Sequence, residues 1–355
     1  MEKRLAKLRE RLAANNLDAA FLYSAENIRY ISGFTGSTGY VIVTANKAYF
    51  ITDFRYKDQA HKQCKGFEVI IHSNSLIDEI KKSVQVNKVN RIGIEDNFMT
   101  VAMYENLKSN LQGVEVAPLK DILEAIRMIK DADEIEAIEK AANIADSAFK
   151  HILDFIKPGV TEKEVALELE YTMKKNGATN LSFESIVASG VRSSLPHGVF
   201  TDKVINNGEF LTLDFGCVYN GYCSDMTRTV FVGKADDKQK KIYNIVLEAE
   251  KAALEQYKPG MLGKEVDKVA RDIISAEGYG DNFGHGLGHG VGLAVHEEPR
   301  VSPLGEKKLE AGMVVTDEPG IYISEYGGVR IEDLILITED GCRVLSKSPK
   351  HLIEL

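Results

Sequence analysis

Glu209–Gly233, EFLTLDFGCVYNGYCSDMTRTVFVG, carries the reading that decides the fold. Asn220-Gly221 stands between apolar, β-rich runs, the strongest short hairpin signal, and implies a two-residue turn. In that register Asp225 lies opposite Gly216, which shares a face with Asp214. The two aspartates are then diagonal neighbours, roughly 7–8 Å apart along the backbone and within side-chain reach of each other. Like charges set together on a sheet face cost stability unless a cation holds them. The plainer alternative pairs each aspartate with a surface Lys or Arg.

Further along, Phe283–Arg300 reads FGHGLGHGVGLAVHEEPR and offers His285, His289 and His296. Each of its interspersed glycines would cost about 1 kcal/mol relative to alanine in a helix, so a helical HExxH zinc site is the wrong template. An extended or looped segment is expected, with bare backbone approaching a ligand while imidazoles project into the same cavity. With His197 added, four of the eight histidines sit in or beside this theme. A flexible glycine loop with incidental histidines is the bland reading. A third stretch, Gly312–Ile337, GMVVTDEPGIYISEYGGVRIEDLILI, brings Glu318 and Glu332 into strand-like surroundings. A two-residue turn at Gly327-Gly328 would put these glutamates on opposite faces. A longer loop or a bulge is therefore required, and Pro319-Gly320 is a candidate to supply it.

Asp214, Asp225, His289, Glu318 and Glu332 make a candidate ligand set of four carboxylates and one imidazole. Oxygen-dominated sites favour hard or borderline ions, which points to manganese, with cobalt, ferrous iron or zinc as the other candidates. Four carboxylates exceed what one divalent ion would neutralise. Two metal ions about 3.5–4 Å apart are the standard solution for hydrolysis.

Outside these stretches, 355 residues exceed what one compact core usually holds, so two domains are expected. The first, residues 1–123, alternates helical and strand patterns, as in AAFLYS and YVIVTANKAYFITD, and reads as α/β. From Asp121 a long, charged, helix-periodic segment runs to Lys157-Pro158-Gly159, and a Thr161 cap with Glu164 in capping-box position opens the next helix. The second domain, residues 124–355, reads as α+β with a loose internal symmetry of helices followed by a two-carboxylate hairpin. The net charge of −9, without a basic stripe, excludes nucleic acid as a partner. The amphipathic start, with Leu5, Leu8 and Leu12 on one face, has no apolar stretch long enough for a secretory signal or a membrane span. Four scattered cysteines fit reduced thiols and a cytoplasmic protein.

LDFG with Asp214, SDMTRT with Asp225, GHGLGHGVGLAVHE with His289, DEPGIY with Glu318 and GVRIED with Glu332 resemble, in order and spacing, the pita-bread metallopeptidases. YSAENIRYISGFTGSTGYVIVT and ITDFRY resemble the amino-terminal domain of the creatinase, prolidase and aminopeptidase P branch, so the resemblance spans the whole chain. It implies a creatinase-like first domain, a pita-bread catalytic domain, a dinuclear site with those five ligands, and a homodimer. It further implies a bridging hydroxide that attacks the scissile carbonyl, with Glu318 handling the nucleophile's proton. His285 and His296 match positions that bind substrate and stabilise the tetrahedral intermediate. His197 matches a further active-site histidine, and Arg330 an arginine that orients the site carboxylates. Arg300 resembles an arginine of short microbial prolidases that meets a dipeptide's terminal carboxylate. The expected activity is hydrolysis of Xaa-Pro dipeptides. The alternatives are an aminopeptidase P acting on longer proline-containing peptides, a metal-free creatinase-like enzyme, and an inactive binding protein on the same scaffold. All five ligands are present, which disfavours the last two.

Overall fold

In the computed structural model, which describes residues 1–73 and 75–355, the chain separates into two units, Met1–Arg127 and Met128–Leu355. The first holds strands β1 (Ala19–Leu22), β2 (Tyr40–Thr44), β3 (Ala48–Thr52), β4 (Glu68–Ile71), β5 (Arg91–Ile94) and β6 (Glu115–Pro118). They form one sheet in the order β4-β3-β2-β1-β5-β6. The β1–β2 and β2–β3 pairs are antiparallel and the others parallel. Its helices are α1 (Glu2–Ala14), α2 (Ala25–Ser32), α3 (Lys57–Gln63), α4 (Leu76–Val86), α5 (Val101–Asn110) and α6 (Ile122–Arg127). The periodicity of α1 does what it implied, burying Leu5, Leu8 and Leu12. Ile80 and Val84 of α4 and Leu107 of α5 pack with Phe21, Ile42, Ile51 and Ile92 of the sheet.

The helix-periodic stretch from Asp121 is two helices, not one. Asp131 takes an extended conformation and caps α7 (Ala132–Phe155) in a capping box with Glu134, while the Lys130 N–H donates to the Gly312 carbonyl. The capping box and this long-range hydrogen bond together outcompete helix continuation across residues 128–131. Helix α8 (Glu162–Lys175) begins with the expected box of Thr161 and Glu164. Strands β7 (Asn180–Leu181), β8 (Ile186–Ser189), β9 (Glu209–Phe215), β10 (Cys217–Tyr219), β11 (Tyr222–Cys223) and β12 (Met226–Val232) follow. Next come α9 (Asp237–Leu254) and α10 (Gly263–Ala276), then β13 (Gly288–Gly290), β14 (Glu297–Val301), β15 (Val314–Asp317), β16 (Gly320–Ile323), β17 (Gly327–Arg330), β18 (Asp333–Ile337) and β19 (Cys342–Val344).

Each half of the second unit therefore sets a helix pair beside a carboxylate-bearing hairpin. Phe149 of α7 and Leu169 of α8 share a core with Leu211, Leu213 and Val230 of β9 and β12. Val246 of α9 and Val266 of α10 share another with Val315 and Ile335 of β15 and β18. The strands assemble as β12-β9-β8, β11-β10-β7, β14-β13-β15-β18-β19 and β16-β17. This is the expected α/β unit followed by an α+β pita-bread unit. Among the described residues no helix is long and apolar enough to cross a membrane.

Candidate metal centre

Asn220 and Gly221 both adopt positive φ, 51° and 83°, as a two-residue hairpin turn of the expected type requires. Tyr219 pairs with Tyr222, and the same register continues into β9 and β12, where Thr227 faces Asp214. Asp225 thus falls opposite Gly216, as the arithmetic predicted. Only glycine fits there, because a Cβ would lie 1.9 Å from the Ser224 carbonyl oxygen.

The second hairpin closes differently from the glycine signal. Ile323 pairs with Gly327, so residues 324–326 form a three-residue turn with Glu325 at φ 60°, and Gly327-Gly328 lie in the strand. Gly328 meets another demand: a Cβ would approach the Ser193 carbonyl to 2.4 Å. Asp317 pairs with Asp333 on one side and Gly320 with Arg330 on the other, both in one register that brings Glu318 across from Glu332. Here the ladder opens outward. The Glu318 N–H donates to Leu287 O (2.8 Å) and the Glu332 N–H to Thr227 O (3.0 Å), so each glutamate is anchored to a segment outside its own hairpin.

Among the described residues, Asp225, His289 and Glu332 offer ligand atoms that all lie within 4.8 Å of one another. His289 Nε2 is 3.7 Å from Asp225 Oδ2 and 3.4 Å from Glu318 Oε1. Asp214 Oδ2 accepts from Arg330 Nη2 at 2.6 Å, whereas its buried Oδ1 has no partner among the described residues. Burial, followed by the Glu332, Asp214 and Glu318 charges, pushes the Asp225 carboxyl well above its ordinary range. Burial and the Glu318 and Asp214 charges do the same to Glu332, and burial raises Glu318 to about 8. His289 Nδ1 donates to the Gly290 carbonyl at 3.0 Å, which leaves the Nε2 lone pair facing the carboxylates. Burial and neighbouring His296 lower its pKa to about 4, so the imidazole is neutral at neutral pH. Mutually repelling buried carboxylates, an orphaned oxygen and a neutral imidazole presenting a lone pair fit divalent cations of the oxygen-preferring kind.

The remaining predicted residues surround this pocket. His285 Nδ1 donates to Gly286 O and its Nε2 accepts from Tyr322 OH, both at 2.8 Å, and burial holds its pKa down at about 4. The exposed His296 ring lies 4.3 Å from that of His289, centroid to centroid. His197 is exposed, on the loop after β8. Arg300 pairs with His289 across β13 and β14, which puts the two on one face, and its side chain is 69% exposed with Nε 3.6 Å from Glu298 Oε1.

Two residues escaped the sequence reading. Thr227 Oγ1 donates to Glu332 Oε2 at 2.6 Å and accepts from Arg330 Nε at 2.9 Å, which joins the two hairpins through one hydroxyl. The hairpin arithmetic already placed it opposite Asp214, and that was the available signal. Tyr322, the final residue of the quoted DEPGIY, bridges His285 and Arg330 Nη1, the latter at 2.7 Å. No short-range pattern marks it.

Carboxylates on two hairpins, met by the β13 imidazole of His289, mark a metal-dependent hydrolase. The profile of metallopeptidase family M24 matches residues 136–339 and that of the creatinase/prolidase N-terminal domain residues 4–129, and the chain belongs to this metallopeptidase family. It is 44% identical over 355 residues to the Xaa-Pro dipeptidase of Pyrococcus furiosus, covering 99% of this chain and 100% of that one. An Xaa-Pro dipeptidase structure from Bacillus anthracis superposes with a TM-score of 0.98 at 47% identity, over 100% of this chain and 99% of that one. An X-Pro aminopeptidase structure from Thermotoga maritima superposes with a TM-score of 0.92 at 39% identity, over 99% of each chain.

Proposed function

We propose that the protein is an Xaa-Pro dipeptidase whose centre holds two divalent ions, manganese first among them, on Asp214, Asp225, His289, Glu318 and Glu332. When bound, such ions polarise the scissile carbonyl and supply a hydroxide nucleophile at neutral pH. Glu318 accepts the proton of the attacking water at its carboxylate and delivers it to the departing proline nitrogen. Arg330, fixed by Thr227, Tyr322 and Asp214, keeps Asp214 turned toward the pocket. His285 has its ring nitrogens engaged by Gly286 and Tyr322 and acts by orienting the Tyr322–Arg330 pair. His296 and His197 face the substrate side and steady the peptide and its tetrahedral intermediate. The reading includes a cytoplasmic homodimer, with the four cysteines unbridged as a reducing compartment would keep them.

The position of Arg300 carries the choice of a dipeptide. It stands directly across from His289 with its guanidinium in solvent, a suitable place for a bidentate partner of a carboxylate one residue beyond the scissile bond. A dipeptide carries that charge there, and a longer peptide carries a neutral amide. The second reading, an aminopeptidase P taking longer peptides, is supported by the likeness to the Thermotoga maritima X-Pro aminopeptidase structure.

Stripping the protein with chelator, restoring manganese or cobalt, and following an Xaa-Pro dipeptide beside an Xaa-Pro-Xaa tripeptide separates the two readings. We expect metal-dependent cleavage of the dipeptide, none by a Glu332→Ala control, and on the order of a tenfold rise in KM for the dipeptide in Arg300→Ala. Preference for the tripeptide would transfer the assignment to aminopeptidase P. No cleavage of either, with metal bound, would refute the Xaa-Pro assignment.

A further inference from the structure

Glu162 is the first residue of α8, and its side chain is completely buried although it belongs to neither the pocket nor a hydrophobic core. Its carboxylate is divided between the two ends of the loop that carries His197. At one end, Oε1 accepts from the Ser189 N–H at 2.8 Å and the Ser189 hydroxyl at 2.9 Å. At the other, Oε2 accepts from the Thr201 N–H at 3.1 Å and the Thr201 hydroxyl at 2.8 Å. Arg192, inside the loop, adds its Nε at 3.0 Å from Oε2 and donates onward to the Val199 carbonyl. One carboxylate therefore cinches the segment at Ser189 and Thr201 and grips it in between.

Two contacts join this cinched segment to the strand that bears Arg330. The Gly328 N–H donates to Ser193 Oγ at 2.8 Å, and Arg330 Nη1 donates to the Pro196 carbonyl, one residue before His197, at 3.3 Å. The imidazole itself is solvent-exposed, and its own ring packing does little to fix it. Its place is set by the backbone beneath it, which the Glu162 carboxylate holds together with the β8–β9 ladder at Ser189 and the Lys163 N–H on the Thr201 carbonyl. Charge-assisted hydrogen bonds are about twice as strong as neutral ones, and a buried carboxylate satisfied by donors from two chain segments makes their separation stiff.

We propose that Glu162 is a positioning residue for the peptidase reaction, acting through His197 by holding the ends of its loop at fixed separation. This rests on the peptidase reading above. In Glu162→Gln the carboxamide keeps the shape but can accept at only one of its two termini, so one end of the loop loses its side-chain anchor and keeps only its backbone bonds, while α8 retains its capping box. A displacement near 1 Å at a substrate-binding group can cost on the order of a hundredfold in rate.

The test is a double-mutant cycle on the metal-loaded, full-length protein, with metal content measured for every variant. Glu162→Gln is expected to lower kcat/KM by roughly ten- to a hundredfold with metal stoichiometry unchanged, and to cause almost no further loss in a His197→Ala background. Ser189→Ala and Thr201→Val, each removing one hydroxyl donor, should give smaller losses that also vanish in that background, and they carry the test if Glu162→Gln does not fold. Independently of activity, hydrogen exchange of residues 190–200 should quicken in Glu162→Gln while that of β9 and β12 stays constant. Losses that add to those of His197→Ala, losses that track lost metal, or unchanged exchange in the loop would each overturn the proposal. A wild-type protein inactive on proline peptides would sink the peptidase reading instead, and the exchange measurement would still judge the loop.

Discussion

Arg330 is buried and uses each nitrogen of its guanidinium: Nε on Thr227, Nη1 on Tyr322 and Pro196, Nη2 on Asp214. Planarity lets one side chain serve four partners in fixed directions, and a lysine ammonium at the same place would be a point charge that reaches only some of them. Arg330→Lys is therefore expected to keep the charge yet lower both kcat/KM and metal affinity, each by about 10–100-fold, with Asp214 no longer held toward the pocket. Steady-state kinetics combined with metal titration checks this, and wild-type values in both would remove Arg330 from the account. At this scale the sequence named the arginine only through the family resemblance. Three of its four partners, Thr227, Pro196 and Asp214, lie more than a hundred residues away, where no local pattern can reach them.

Two hairpins present the carboxylates, and the contrast between them shows what local sequence controls. Asn220-Gly221 met the backbone demand of its turn directly, so the register of β9 and β12, and with it the placement of Asp214 and Asp225, was legible beforehand. At Gly327-Gly328 the same arithmetic ruled out a two-residue turn and required a longer loop, which residues 324–326 supply, while Gly328 lets a neighbouring backbone approach. The glycines of β13 belong to this second kind. A Cβ on Gly288 would stand 2.1 Å from the Thr316 carbonyl, a backbone atom that cannot step aside. Gly288→Ala is accordingly expected to cost about 1–3 kcal/mol and to displace His289, weakening metal binding. Urea unfolding and metal titration would show it, and an alanine variant as stable and as metal-avid as wild type would contradict the packing argument.

Over the whole molecule, the centre stores electrostatic work that depends on pH and on metal. Glu318 is raised from an ordinary 4.5 to about 8, so the folded, metal-free protein holds more protons than the unfolded chain between those values and loses stability as pH rises through them. His285 and His289 act oppositely, since their pKa values fall from 6.5 to about 4 and the unfolded chain holds the extra protons, so stability there rises with pH up to 6.5. Above pH 6.5 only the carboxylate effect of this site remains. Metal-free protein should therefore lose thermal stability from pH 6.5 to pH 8, and saturating manganese should flatten that slope, with protons released as the metal binds. Calorimetry of both forms across that range measures it, and identical slopes would mean that the carboxylates do not repel one another as placed.

The sequence alone determined those features that depend on backbone conformation and residue chemistry over a few positions. The type and register of the first hairpin, the extended character of the glycine-histidine segment, the inward face of α1, the capping box of α8 and the oxygen-rich chemistry of the candidate donor set all follow from local φ preferences, side-chain periodicity or donor type. Only the tertiary structure decided the three-residue turn before β17, the Thr227 hydroxyl joining Glu332 to Arg330, the tautomer of His289 and the double grip of Glu162 on the His197 loop. Desolvation, charge repulsion and hydrogen-bond reach depend on distance through space. In this chain those distances are set by packing β12, β13 and β17 around one pocket and α8 against the His197 loop rather than by separation along the sequence.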